Sequence, residues 1–140
     1  MGLLSKIFSN TRKPDELFKR TVFNVFTNNT DDHEKNISFL MSPEGQWHLA
    51  PAYDMTFIIA TNGIEPEMTH CMSIGGKYAD ITAEDLIRLG RDNSVKNPEE
   101  VIDRVLKGTE NFEDLTRKNN VDSFHIELIS KRLQELRPEG

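Results

Sequence analysis

The sequence predicts a mainly α-helical fold carrying one small β-hairpin. Three observations predict it. Apolar residues recur at helical spacing in several stretches, those stretches open on recognisable helix-start residues, and one pair of short apolar runs is joined by Pro43-Glu44-Gly45. No repeat, linker or low-complexity tract divides the 140 residues, so one domain with one core is the economical organisation.

The first helix starts at Pro14, whose missing N–H is no loss in a first turn, and Asp15 and Glu16 complement the positive end of the helix dipole. Leu17, Phe18, Val22, Val25 and Phe26 form its apolar stripe, giving about 12 to 14 residues. Asn28-Asn29-Thr30 ends it, because short polar side chains compete for backbone hydrogen bonds and Asn tolerates left-handed geometry. A polar loop, Asp31 to Asn36, comes next. Ile37 to Met41 and Gln46 to Leu49 read as the two strands of the hairpin. Asn62-Gly63 and Gly75-Gly76 mark loops, and the segment between them carries no clear period. Gly75-Gly76-Lys77 lacks the glycine pattern of a phosphate loop and reads as a turn. Thr82-Ala83-Glu84-Asp85 is a capping box with Asp in place of Glu, ahead of Leu86, Ile87 and Leu89. Asn97-Pro98-Glu99-Glu100 starts another helix, with Asn97 as its cap and Val101, Ile102, Val105 and Leu106 on its buried face; Gly108 weakens or bends it. A last helix begins near Asp122 or Ser123, buries Phe124, Ile129, Leu133 and Leu136, and ends before Pro138.

Composition narrows the function classes. A net charge of −6 and a pI near 5.2 argue against a surface that grips nucleic acid through its phosphates, so no direct nucleic-acid contact is expected. No run approaches the roughly 20 apolar residues that span a bilayer, and Met1 to Phe8 is broken by Ser5 and Lys6, which fails as a signal peptide. Gly2 hints at myristoylation, but Lys6 stands where that motif wants Ser or Thr. The single cysteine, Cys71, forms no intrachain disulfide and suits a cytoplasmic protein; it reads as an ordinary buried or half-buried thiol. Residues 1–14 are read as a flexible or truncated lead and 15–140 as the domain.

The chemistry-bearing segment is Thr30-Asp31-Asp32-His33-Glu34-Lys35-Asn36, followed by Asp54. In protein kinases an Asp serves the acceptor hydroxyl, an Asn four intervening residues later holds Mg²⁺, and a further Asp holds metal again. Asp31, Asn36 and Asp54 follow that order and that first spacing. Asn36 offers a neutral oxygen and Asp54 an anionic one, a hard pair suited to Mg²⁺, and the hairpin can return Asp54 to Asn36. His33 reads equally as a second catalytic contact or as a brace for the loop, and Lys35 as a contact to the phosphates of ATP or a solvated lysine. Asp32 has no assigned role beyond the effect of adjacent carboxylates on each other's proton affinity. The same segment is rich in turn formers, and a lone Asp-x-x-x-x-Asn recurs by chance. Asp31, Asp32, His33, His48 and Asp54 also include ligand types for Zn²⁺ or Fe²⁺, without the spacing of His-Glu-x-x-His. His48 reads as a strand-face residue beside Trp47, and His70 and His125 as incidental.

Three segments taken together narrow these alternatives: Phe18-Lys19-Arg20-x-Val22-Phe23-Asn24, Asn29-Thr30-Asp31-Asp32-His33-x-Lys35-Asn36-x-Ser38-Phe39, and Trp47-x-Leu49-Ala50-Pro51-Ala52-Tyr53-Asp54. They resemble the C-terminal lobe of HipA-type toxin kinases. The resemblance continues through Met72-Ser73-Ile74-Gly75-Gly76-Lys77 and Ile81-Thr82-x-Glu84-Asp85-Leu86 and the closing helices. It implies the helical C-terminal lobe of a protein-kinase-like fold, in a bacterial Ser/Thr protein kinase of a toxin–antitoxin module. Asp31 would be the catalytic Asp, and Asn36 and Asp54 the Mg²⁺ ligands. The implied partners are a HipB-type DNA-binding antitoxin and a protein substrate such as an aminoacyl-tRNA synthetase. The N-terminal lobe of such kinases, with its nucleotide-binding lysine and glycine-rich loop, has no counterpart before Asp15. The expectation is therefore a fragment, a split protein completed by another chain, or a remnant that serves only as an interaction module. In each case Mg²⁺–ATP is expected to bind weakly to this chain alone.

Overall fold

The computed structural model describes residues 13–139 of the chain, so the lead read from residues 1–14 lies almost wholly outside the described residues. Helix α1 spans Pro14–Phe26, with Pro14 in its first turn beside Asp15 and Glu16. Its Leu17, Phe18, Val22, Val25 and Phe26 are all but fully buried, and each such side chain contributes about 1.5–3 kcal/mol by leaving water. A 3₁₀ turn at Glu34–Asn36 follows, then strands β1, Phe39–Met41, and β2, Trp47–Leu49. The strands are antiparallel, with Phe39 facing Leu49, Leu40 facing His48 and Met41 facing Trp47. They are shorter than the apolar runs suggest: Ile37 is the residue that closes the 3₁₀ turn. Helices α2, Ala83–Asp92, α3, Pro98–Gly108, α4, Phe112–Lys118, and α5, Ser123–Leu136, complete the described chain. It is thus mainly helical with a two-stranded hairpin, as the sequence predicts.

Helix α1 lies at the centre. Its apolar face meets Leu86 of α2, Ile102 and Val105 of α3, Val95 between them, and Met72 and Ile74 from the segment before α2. The capping box at α2 forms as expected: the Asp85 N–H donates to Thr82 Oγ1, and the Asp85 carboxylate accepts from the Thr82 N–H at 2.9 Å. Gly75 and Gly76 both have positive φ and sit between Ile74 and Lys77, which bond reciprocally at 2.9 and 3.0 Å, so this segment is a tight turn.

Three readings are corrected. Asn97 does not cap α3 with its side chain; it adopts left-handed geometry, with φ 49°. Phe124 is exposed, because α5 turns Ile126 and Leu133 inward and not its first turn. Helix α4 was not foreseen: its seven residues carry no buried side chain, so no apolar stripe announces it. Helix α3 ends at Gly108.

Candidate active site

The end of α1 sets the loop. Asn28 takes φ 55° and the Asn29 N–H reaches back to the Asn24 carbonyl at 2.9 Å, a Schellman-type termination with Asn in the left-handed position. The Asn28 side chain is 1% exposed and donates to the carbonyls of Ile58 and Glu67 while accepting from Arg132 Nε of α5. One residue therefore ties the loop's origin to three distant segments.

From here the two neighbouring aspartates part. Asp32 is buried, and its carboxylate accepts from the Cys71 N–H at 2.9 Å, from the Met72 N–H at 3.4 Å and from His70 Nδ1 at 2.9 Å. A carboxylate that only accepts is matched by an N–H on His70 Nδ1. The reading of His70 as incidental is thus overturned: it is buried against the loop, 38 residues from its partner. Asp31 remains half in solvent, with His33 Nε2 at 3.8 Å from its Oδ2 and Cys71 Sγ at 3.7 Å from its Oδ1. Cys71 is exposed, not buried or half-buried. Desolvation raises its thiol pKa above the ordinary 9.0, and the charges of Asp31 and Asp32 raise it further.

The loop closes on itself through Asn36, whose Nδ2 donates to the Asp31 carbonyl at 3.1 Å. That bond orients the amide and leaves Oδ1 as its free acceptor. The hairpin then brings Asp54 back. Arg20, buried on α1, donates through Nη2 to the Ala50 carbonyl at 2.6 Å, where the chain leaves β2. Tyr53 Oη donates to the Lys35 carbonyl at 2.7 Å and lies 2.5 Å from Ser38 Oγ. Asn29 Nδ2 donates to the Asp54 carbonyl at 3.3 Å. Asp54 itself has φ 55°, an uncommon conformation for a residue with a Cβ, held by these flanking bonds. No hydrogen bond or ion pair among the described residues engages its carboxylate.

Asn36 and Asp54 line one cleft, together with Asp32, His33, Asn29 and Arg20. Its volume is about 20 Å³, the space of a water molecule. Three buried polar atoms without a hydrogen-bond partner, Arg20 Nη1, Asn29 Oδ1 and His33 Nδ1, belong to residues of that lining, so the cleft has unmet capacity for a polar guest. Asp31 and Lys35 stand outside the lining; the Lys35 side chain is exposed. Among the described residues no group of three or more His, Cys, Asp and Glu side chains is placed to hold a metal, so the Zn²⁺ or Fe²⁺ reading finds no donor set there; His48 lies exposed on β2.

A family model of the HipA-like C-terminal domain matches residues 1–114. The chain belongs to that family. The match takes in the loop, the hairpin, Asp54 and helices α2 and α3 and runs into α4, so α5 lies beyond it. No curated protein matches the chain. Among its described residues, no helix is long and apolar enough to cross a membrane.

Sequence reasoning left Asp32 without a role and missed His70 and the Cys71 thiol as neighbours of the candidate site. The available signal was the pairing of an unassigned Asp inside the motif with a His preceding Cys71-Met72, but 38 residues of chain separate them.

Proposed function

We propose that this chain is the metal-binding, acceptor-facing lobe of a HipA-like Ser/Thr protein kinase, which transfers the γ-phosphate of ATP to a protein hydroxyl. The observation that carries the proposal is the cleft shared by Asn36 and Asp54, in which a preset amide oxygen and an unpartnered carboxylate, far apart in sequence, stand together. Two hard oxygens are the protein share that Mg²⁺ commonly takes, with waters and phosphate oxygens in its other positions. Bound there, Mg²⁺ would supply neutralisation of phosphate charge.

The chain's own residues do the rest. Asp31, exposed beside the cleft-lining His33, is reachable by a protein substrate and serves as base or orienting group for its hydroxyl. His33 holds its place beside that carboxylate, and Lys35 extends into solvent, where a phosphate can be met. Arg20, Asn29 and Tyr53 keep Asp54 in place through the bonds at Ala50, Asp54 and Lys35. A purine needs far more room than a water-sized cleft, so adenine and ribose are held by another lobe or chain. A HipB-type antitoxin and a substrate such as an aminoacyl-tRNA synthetase are the partners that accompany this reading.

Paramagnetic Mn²⁺ tests the metal site directly. It should broaden the Asn36 side-chain amide and the Asp54 backbone amide first, and Asn36→Ala and Asp54→Ala should each remove the effect. With a nucleotide-binding lobe added, phosphate transfer from radiolabelled ATP should disappear in Asp31→Ala. Mn²⁺ broadening elsewhere, or transfer unchanged by Asp31→Ala, would sink the assignment.

A further inference from the structure

We propose that the groove between α1 and α3 docks a segment of a partner protein in which an apolar side chain stands beside a carboxylate. The groove has a volume of about 390 Å³, room for a large side chain and its neighbours. Neither Asn36 nor Asp54 lines it, so the proposal stands apart from the metal cleft.

The groove is apolar and open to solvent. Phe23 is 37% exposed, although the other large apolar side chains of α1, from Leu17 to Phe26, are buried. Ala52, Met55 and Val105 of α3 line the groove with it. Gly108 completes the lining at the end of α3, and a Cβ built there would meet nothing within 4 Å. The glycine therefore leaves space where a side chain would otherwise stand. Contiguous apolar surface of this kind with a polar rim marks interaction sites.

The rim selects the occupant. Lys19, Arg20 and Arg104 line the groove with a single carboxylate, Glu16, in a chain whose net charge is −6. Glu16 is already shared between Lys19 Nζ and Arg20 Nε, each at 3.3 Å. Arg104 is exposed and forms no hydrogen bond or ion pair among the described residues, and the buried Arg20 Nη1 has no partner either. Cationic capacity is thus left over beside an apolar hollow. A guest carboxylate pairs with Arg104 while the apolar side chain next to it takes the space at Gly108. A second copy of this chain fits poorly, because twofold pairing sets a patch against itself and would bring Arg104 to Arg104 and hollow to hollow.

The test is selection of a phage-displayed library of random peptides, about twelve residues long, on the full chain. The expected result is a set of binders in which Leu, Met or an aromatic residue lies next to Asp or Glu. Added to the ¹⁵N-labelled chain, they should shift the amides of Phe23, Met55 and Gly108. Affinity should fall at least about tenfold in Arg104→Glu, which reverses the rim charge, and in Gly108→Leu, which fills the hollow. Both positions are exposed, so the core is untouched. The proposal is overturned if selection returns no binder, if the binders lack an acidic residue, if the shifts lie elsewhere, or if either variant binds as tightly as the parent. Sedimentation of the parent as a dimer that Arg104→Glu dissociates would also overturn it, by making a second copy the occupant.

Discussion

Two adjacent carboxylates with opposite surroundings define the residue scale. Asp32 accepts three hydrogen bonds in a buried setting, whereas Asp31 keeps more than half of its side chain in solvent. Asp32→Asn would turn an amide N–H or a weaker acceptor toward donors that need an anion, so a loss of about 2–4 kcal/mol is expected in urea unfolding. Asp31→Asn should stay within about 0.5 kcal/mol of the parent. Equal losses would contradict the geometry. Cys71 gives a second probe of the same place. Partial desolvation first, then the Asp31 and Asp32 charges and the Asp31 hydrogen bond, raise the pKa of this exposed thiol, so at mildly alkaline pH less of it is reactive thiolate than in a free cysteine. Removing the Asp31 charge lowers that pKa toward the ordinary value. Alkylation by iodoacetamide at fixed pH should therefore run several-fold faster in Asp31→Asn, and an unchanged rate would show that the thiol does not sense Asp31.

At the scale of elements, the closest approach is where α2 and α3 meet α1. A Cβ built on Gly90 would stand 2.7 Å from Pro98 Cβ and 3.2 Å from the Phe18 ring. Alanine ordinarily stabilises a helix interior relative to glycine by about 1 kcal/mol. Here the sign reverses, because the proline ring and a fully buried phenylalanine cannot both yield. Gly90→Ala is expected to cost about 1–3 kcal/mol. Gly108→Ala, at the end of α3 with nothing within 4 Å of the new methyl, should instead gain up to about 1 kcal/mol. Thermal melts of the two variants should move in opposite directions; melts that both rise would refute the tight crossing at Gly90. The hairpin works differently. Leu40, Met41 and Trp47 are exposed, and only the Phe39 and Leu49 face is partly buried, so Arg20 on Ala50 and Tyr53 on Lys35 add to the little that burial contributes to its place.

Across the whole molecule, Asn28 is the point where separate segments are joined. Its side chain reaches Ile58, Glu67 and Arg132, and its backbone adopts the left-handed conformation that Asn tolerates better than most residues. Asn28→Ala would remove all three side-chain bonds and add backbone strain, for an expected loss of about 3 kcal/mol or more. Amide exchange should accelerate at Ile58, Glu67 and Cys71, whose N–H groups bond to Asn28, Ile58 and Thr30. Acceleration confined to α1 would show that Asn28 only ends that helix. The same architecture joins the candidate metal cleft, which Asp32 lines, to the buried His70 on the far side of that carboxylate.

The features that the sequence alone determined are local in cause. Pro14, the Thr82 to Asp85 box and the apolar spacing of α1 act within one or two helical turns, so their positions along the chain carried their meaning. The return of Asp54 to the cleft of Asn36 was legible for a related reason: a short loop followed by a two-stranded hairpin leaves few ways to place its two ends, although Asp31 stands outside that lining. Helix α4 escaped because it buries no side chain, and Asn97 because a capping residue and a left-handed residue look alike in sequence. The separate fates of Asp31 and Asp32, the burial of His70 and the exposure of Cys71 belong to packing. Each depends on which loop lies against which, and a hydrogen bond across 38 residues leaves no periodic trace in the chain between them.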